Sequence, residues 1–469
     1  MNRGKELVKN SLIITIGKIA TQFISFFLLP LYTAMLSTDE YGMVDLFATY
    51  VQLLLPFFTL FIEQGAFRFL LNCDKDSEEE KGVISGSFWT IFLMMIVWSI
   101  GFTVFSPFIK NGYKQYMLYI LLASALSSWA LQIARGLKSV TVYTVGSFLT
   151  TAVALIFNVF FIVILKMGVK GMLIATVISN LVCYIYIHFK LQLSRYLKIA
   201  GWDLFNIKKM LQYSIPLIPN QVSVWVMNSS DRAIVNIFLN IGANGILAVS
   251  HKFAVIFSTI FSIFQLSWQE MGALHYFDSD RDIFFTVMFD RVIRFFSAVC
   301  ICLIAIIPWI FGVLINESFY EAYDTIPLYL IGVLFNIMVG LLGVIYIALK
   351  KTFEIAKTTM LAACINIVIH VSLIRFLGLY AAALSTLISF FIVMVYRMAD
   401  TKKYINIRYN YLLYFSILII TGIVSVLYYI PDSYLARSSS VLLAGVYSGY
   451  INKENLRDLM YMFFKRKAE

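Results

Sequence analysis

Charge is what this chain has least of: 13% of its 469 residues are Asp, Glu, Lys or Arg, against about a quarter in soluble proteins. Long polar stretches are also missing, the longest break between apolar runs being 193–212. A soluble catalytic domain has no segment to occupy, so the chain is not expected to be an enzyme. The sequence contains no Walker A pattern, no Gly-x-Gly-x-x-Gly and no His-Glu-x-x-His. Those absences remove the usual nucleotide cradles and the usual zinc-hydrolase pair; no cofactor or metal is expected, and ATP bound by this chain is not its energy source. Cysteine is sparse too. Cys73, Cys183, Cys300, Cys302 and Cys364 show no framework spacing, and four of them lie in apolar runs, so they read as buried thiols.

What is present is apolar. Hydrophobic residues make up 60% of the chain and the mean hydropathy is +0.83, so the bilayer must solvate most of it. Aromatic residues, at 16%, suit the anchoring of helices at the membrane interface. Apolar runs of about twenty residues recur without the period-two alternation of barrel strands. The fold class is therefore all-α integral membrane, with about fourteen transmembrane helices. They are expected near 11–36, 44–71, 83–107, 116–135, 142–165, 171–192, 213–239, 245–271, 285–312, 325–347, 355–375, 379–398, 409–430 and 433–452. The first follows a basic start, but its apolar run is too long for a cleaved signal peptide.

The net charge of +11 raises the question of nucleic acid, and the placement of the charges answers it. Loops assigned to one side hold Arg3, Lys5, Lys9, Lys75, Lys138, Lys190, Arg195, Lys208, Lys209, Lys350, Lys351, Lys402, Lys403 and Lys465 among others. The opposite side holds only Lys110, Lys114, Lys166, Lys170, Arg375 and Arg437. A bias of roughly four to one is the positive-inside rule, with both termini cytoplasmic. The basicity records topology, and no nucleic-acid partner is expected.

The basic break 193–212 carries an apolar stripe at Leu204, Ile207 and Leu211 beside Lys208 and Lys209, which suits a helix lying on the cytoplasmic leaflet. It divides the chain into an N-lobe at 1–192 and a C-lobe at 213–398, with 399–469 supplying a C-terminal helix pair and a basic tail. The lobes look duplicated. Residues 168–179 (GVKGMLIATVIS) and 378–389 (GLYAAALSTLIS) align without a gap, and 36–42 (LSTDEYG) corresponds to 239–245 (LNIGANG). Six helices per lobe, an even number, make the repeat parallel, with a pseudo-twofold axis along the membrane normal.

Ionised side chains cost about 2.5–3.5 kcal/mol at mid-bilayer, so those within the spans need partners or a wet cavity. Lys18, Arg68, Arg232, Lys252, Arg291 and Arg294 are in that position. The seventh span is the most telling: Ser214, Gln221, Trp225, Asn228, Arg232 and Asn236 share one helical face, with Asp231 on its shoulder. Pro216 and Pro219 favour a bend at its start. In the second span Asp45, Gln52, Thr59 and Glu63 are expected on one face, with Arg68 to the side. The eighth contributes His251 and Lys252. Such stripes either line a cavity or form a polar seam that holds helices together. Arg294 is expected to pair with Asp290 at i, i+4. The Asp-x-Asp pairs at Asp74/Asp76 and Asp278/Asp280 lie in short loops, where no nucleotide-sugar domain can surround them.

These residues resemble one superfamily. Tyr41-Gly42 after an acidic turn is similar to the hairpin signature of polysaccharide flippases. Ile215-Pro216-Leu217 followed by Asp231-Arg232 resembles their seventh helix, and Asn244-Gly245 stands where the family usually has Gly-Tyr. Asn158 with Gly168 and Gly171, and Asn366 with Gly378 and Ala381, resemble its recurring Asn…Gly pattern. The resemblance runs over about 5–400 and points to Wzx-like proteins, the oligosaccharidyl-lipid flippase branch of the multidrug/oligosaccharidyl-lipid/polysaccharide exporter superfamily. It implies two six-helix lobes around a central cavity, in a bacterial inner or plasma membrane. It also implies transfer of a polyprenyl-diphosphate-linked oligosaccharide of undecaprenyl type, for O-antigen, capsule or a related glycan, between leaflets by alternating access. Implied partners are that lipid-linked oligosaccharide, membrane lipids and the glycan polymerase machinery. The extra C-terminal pair is similar to fourteen-helix relatives, which include lipid II flippases; Asn244 departs from the family's tyrosine. On this reading Arg232, Lys252 and Arg68 hold the diphosphate, Gln221, Asn228 and Trp225 meet sugar, and Glu63 and Asp231 balance charge or bind a coupling cation. The alternative is a cation-coupled multidrug or small-molecule antiporter of the same fold.

Overall fold

A computed structural model describes residues 22–108, 110–197, 204–431 and 433–457. The described chain is helical throughout: α1 Leu29–Met35, α2 Thr38–Phe58, α3 Ile62–Leu70, α4 Glu78–Phe105, α5 Lys114–Gly136, α6 Val140–Val159, α7 Gly168–Leu191 and α8 Leu204–Ser214. There follow α9 Ile218–Phe238, α10 Ile241–His275, α11 Arg281–Leu314, α12 Glu321–Ala348, α13 Thr352–Leu377, α14 Leu379–Asp400, α15 Tyr411–Tyr428 and α16 Tyr434–Ile451. Among the described residues, eleven helices are long and apolar enough to cross a membrane. The other three expected spans are not among these eleven, for identifiable reasons. The first lies partly outside the described residues, and Lys18 with it. The seventh carries the polar stripe, and the last is diluted by Arg437 and its serines.

Helix starts follow local chemistry. The turn LSTDEYG forms a capping box: Glu40 N–H donates to Ser37 Oγ at 3.2 Å, and Ser37 N–H donates to Glu40 Oε2 at 3.0 Å. Two of the orphan donors of α2 are thereby satisfied, with acid placed at the positive end of its dipole. The corresponding turn before α10 is capped by Asn240, whose Oδ1 accepts from Ala243 N–H at 2.7 Å. Gly168 and Gly378, matched in the sequence repeat, share a φ of +54°, a backbone conformation that favours glycine.

Compactness divides the chain into Met1–Ala233 and Ile234–Glu469, a division that falls within α9. In the first unit α5 and α7 pack together and meet α2, and α8 seats on α3 and α4. Trp129 is fully buried there and donates its indole N–H to Ser87 Oγ at 2.9 Å. The stripe expected on α8 splits. Ile207 and Met210 are buried, Met210 against Gly65 and Ile207 against Gly86, while Leu204 is 74% exposed. Much of the apolar face of α8 is thus spent on protein.

In the second unit the largely buried α12 is surrounded by α10, α11, α13 and α14. The C-terminal pair α15–α16 packs on α11. It is also tied to α12: Tyr323 and Tyr428 stack with ring centroids 4.1 Å apart and exchange bonds, each hydroxyl donating to the other residue's carbonyl at 2.9 and 2.8 Å. Arg294 meets Asp290 at 2.6 Å, as expected for that i, i+4 pair, and also donates to the Ile451 carbonyl at 3.2 Å.

One expectation changes. The second span is not a continuous helix: it breaks between Phe58 and Ile62, with Leu60 and Phe61 at φ 52° and 53°. Pro56 lies just upstream and supplies no N–H to the ladder. The break interrupts the helix that the expected face was counted on, yet Thr59 and Glu63 still meet through a side-chain hydrogen bond.

Candidate functional site

The polar stripe of α9 is met by α2, and both sides of this meeting belong to the first unit. Three ties run along it. Arg232 Nε lies 2.8 Å from Asp45 Oδ2. About two turns back along α9, Trp225 Nε1 donates to the Thr49 carbonyl at 2.9 Å. At the far end Ser214 Oγ, the last residue of α8, donates to the Leu60 carbonyl at 3.2 Å, within the break of the second span. Residue numbers rise along one element as they fall along the other, so the helices run antiparallel.

Further contacts surround Arg232. Besides Asp45, its Nη1 donates to the Asn228 carbonyl at 3.2 Å, and its own N–H donates to Asp231 Oδ1 at 2.9 Å. Its side chain is 14% exposed and that of Asp45 20%, so the pair is shielded without being sealed. That geometry fixes the direction of the guanidinium while leaving part of it open. Asp231 was expected on the shoulder of the stripe; it is buried and turned back to the backbone.

The remaining candidates are distributed as follows. Gln221 and Trp225 are half-buried, and Asn228 is exposed with its amide donating to the Val224 carbonyl at 3.0 Å. Glu63 is 1% exposed, and its Oε2 has no hydrogen-bond partner among the described residues. Arg68 is exposed in the last turn of α3. Lys252 is half-buried in α10 and belongs to the second unit. Thus Arg232, Trp225, Gln221 and Asn228 share one face, whereas Arg68 sits at the surface beyond the break.

The sequence reading left Asp45 out of its site, although it stood on the stripe of the second span. It also missed a buried polar cluster behind the first hairpin. Asn158 Nδ2 donates to Tyr32 Oη at 2.7 Å, and the Tyr32 ring packs 6.1 Å from that of Tyr41. Asn158 lies just before a π-helical turn, Phe160–Ile164, a local irregularity that often accompanies function. Among the described residues no group of His, Cys, Asp or Glu is arranged to hold a metal.

Apolar spanning helices, a partly shielded ion pair on a polar stripe and a buried carboxylate with one oxygen left without a partner among the described residues together define a multi-pass membrane transporter. Solved structures agree on the fold. The lipid II flippase MurJ in an inward closed conformation superposes with a TM-score of 0.67 at 16% identity, covering 97% of this chain and 100% of that one. An inward-facing multidrug resistance MATE family transporter of the MOP superfamily gives 0.66 at 10% identity, over 81% of this chain and 95% of that one. An outward-facing MATE transporter gives 0.57 at 12%, over 84% and 94%. No curated protein sequence matches the chain. The family model for polysaccharide biosynthesis proteins matches residues 7–268, more than half of the chain, and the protein belongs to that family.

Proposed function

We propose that this protein is a flippase that carries a polyprenyl-diphosphate-linked oligosaccharide from the inner to the outer leaflet of a bacterial inner membrane. Both termini would be cytoplasmic, as the basic loops direct. The observation that carries the reading is the Arg232–Asp45 pair at 2.8 Å on a polar intramembrane stripe. A guanidinium matches phosphate oxygens bidentately. In the empty protein Asp45 serves as its resident anion; a diphosphate entering the cavity displaces that carboxylate, and Asp45 reclaims Arg232 after release. Trp225 and Asn228, on the same face, present an aromatic ring and an amide to the adjoining sugars. Family membership supports the glycan, and the fold shared with a lipid II flippase supports the lipid carrier.

The test is transfer of a defined lipid-linked oligosaccharide in proteoliposomes. Arg232→Ala is expected to abolish transfer at normal protein levels, with Arg232→Lys recovering part of it. Undiminished transfer by Arg232→Ala would overturn the assignment.

A second reading, a cation-coupled antiporter of small molecules, draws on buried Glu63 with its unpartnered Oε2 and on the likeness to the MATE fold. It predicts that Glu63→Gln stops export of cationic dyes while lipid-linked sugar is untouched.

A further inference from the structure

At the basic end of the first unit, the ends of α3, α5 and α7 meet the starts of α4 and α6 around a cleft of about 470 Å3. Its wall carries Lys75, Lys138, Lys190 and Arg195, and a single carboxylate, Glu80. Glu80 is 4% exposed and already engaged, accepting the Asp76 N–H at 3.3 Å. Arg195 lies 3.6 Å from Asp76, and its guanidinium sits over the Tyr196 ring at 4.7 Å, which fixes its direction. Among the described residues Lys75, Lys138 and Lys190 have no carboxylate within 4.0 Å.

Topology alone spreads lysines over cytoplasmic loops; it does not gather them around one walled cleft. Here the backbone does the gathering. Lys138 and Gln192 both take left-handed conformations, with φ 57° and 51°. These turns end α5 and α7 and bring Lys138 and Lys190 to the same cavity. Non-glycine residues adopt that conformation only where the surroundings impose it. Helix α6 begins at the same wall, and Ser139 makes no side-chain capping bond to its first turn. An uncapped helix start attracts negative charge. Leu70, Leu137 and Leu191 add apolar surface to the lining.

Cations and leucines lining one cleft, at the level where helices leave the bilayer, match a phosphate group attached to lipid. We propose that this cleft is a binding site for a phosphate group at the membrane surface. The phosphate is presented by an anionic phospholipid headgroup or by a free diphosphate. None of its residues belongs to the α2–α9 stripe, so the site stands independently of the flippase reading.

The test uses the full-length protein in neutral detergent, titrated with phosphatidylglycerol, phosphatidylcholine and inorganic pyrophosphate. The cleft variant is Lys138→Gln with Lys190→Gln. The control is Lys208→Gln with Lys209→Gln, which removes the same charge from exposed positions on α8 outside the cleft. Phosphatidylglycerol is expected to bind more tightly than phosphatidylcholine. The cleft variant should weaken it on the order of tenfold and the control less than about twofold. If pyrophosphate competes with the same dependence on Lys138 and Lys190, the phosphate alone is recognised. If it does not compete, the lipid headgroup is the ligand. Equal weakening by cleft and control variants, or equal binding of the two lipids, overturns the proposal. Transport by the cleft variant measures the flippase reading separately.

Discussion

Exchanging the charges of the Asp45–Arg232 pair separates a substrate site from a polar seam, because the two readings give different answers. With charge centres about 4 Å apart and an effective dielectric of about 20, the attraction is about 4 kcal/mol, which is a ceiling. Desolvation of the two partly shielded side chains removes part of it. Arg232 also keeps its bond to the Asn228 carbonyl at 3.2 Å when Asp45 is neutralised. A net coupling of about 2 kcal/mol remains. Asp45→Asn and Arg232→Gln should each lower the melting temperature in detergent by a few degrees. The double variant should fall little below either one alone, since the second change removes a partner already lost. The exchange Asp45→Arg with Arg232→Asp should then recover most of the melting temperature, because the ion pair is rebuilt in reverse. Transfer of lipid-linked oligosaccharide should stay lost, because a carboxylate now stands where phosphate is to bind. Recovery of both stability and transfer would refute the reasoning and leave the stripe as a seam. Additive single variants would refute the pairing itself.

Other consequences follow from packing and caps. A Cβ on Gly65 would come within 2.8 Å of the Met210 carbonyl, so Gly65→Ala should lose about 1–3 kcal/mol. Gly101, in α4 with nothing within 4 Å of its Cβ position, should accept alanine with a neutral or slightly raised melting temperature. Ser37→Ala removes the capping box of α2 and should cost about 1 kcal/mol, read as earlier thermal unfolding that Ser37→Asp restores. Tyr323→Phe with Tyr428→Phe removes both reciprocal hydroxyl bonds, at about 0.5–1.5 kcal/mol each. Limited proteolysis should then cut faster near 429–433, between α15 and α16, with the other loops unchanged.

The helical bundle was legible because lipid imposes a one-dimensional code: each span must be apolar over its own length. The family was legible from short motifs whose residues the fold uses for backbone reasons, such as the capping acid Glu40 and the left-handed Gly168. The break in the second span was not, because Leu60 and Phe61 are residues that ordinarily continue a helix and nothing local marks a positive φ there. The polar stripe of α9 was read directly from helical spacing. Its partner was not, because Asp45 and Arg232 are distant in the chain and single-sequence periodicity reports faces, not which faces meet. The seat of α8 was hidden for the same reason: Leu204, Ile207 and Leu211 form one stripe, Ile207, Met210 and Ser214 the neighbouring one, and it is the second that is buried, with Met210 and Ile207 against the glycines at 65 and 86.

The three ties of the second span also set an order of assembly during synthesis. The Leu60 carbonyl is met by a hydroxyl 154 residues later, and Thr49 by an indole 176 residues later; Asp45 waits still longer for Arg232. At translation rates of about 5–20 residues per second, that delay is roughly ten to forty seconds. Throughout it, the second span is already made while its polar face lacks these partners, a state that costs free energy in bare lipid. The nascent chain therefore depends on water or on the insertion machinery to shelter that face until the seventh span is delivered. Substitutions that remove Arg232 should for this reason depress membrane yield even before transport is measured.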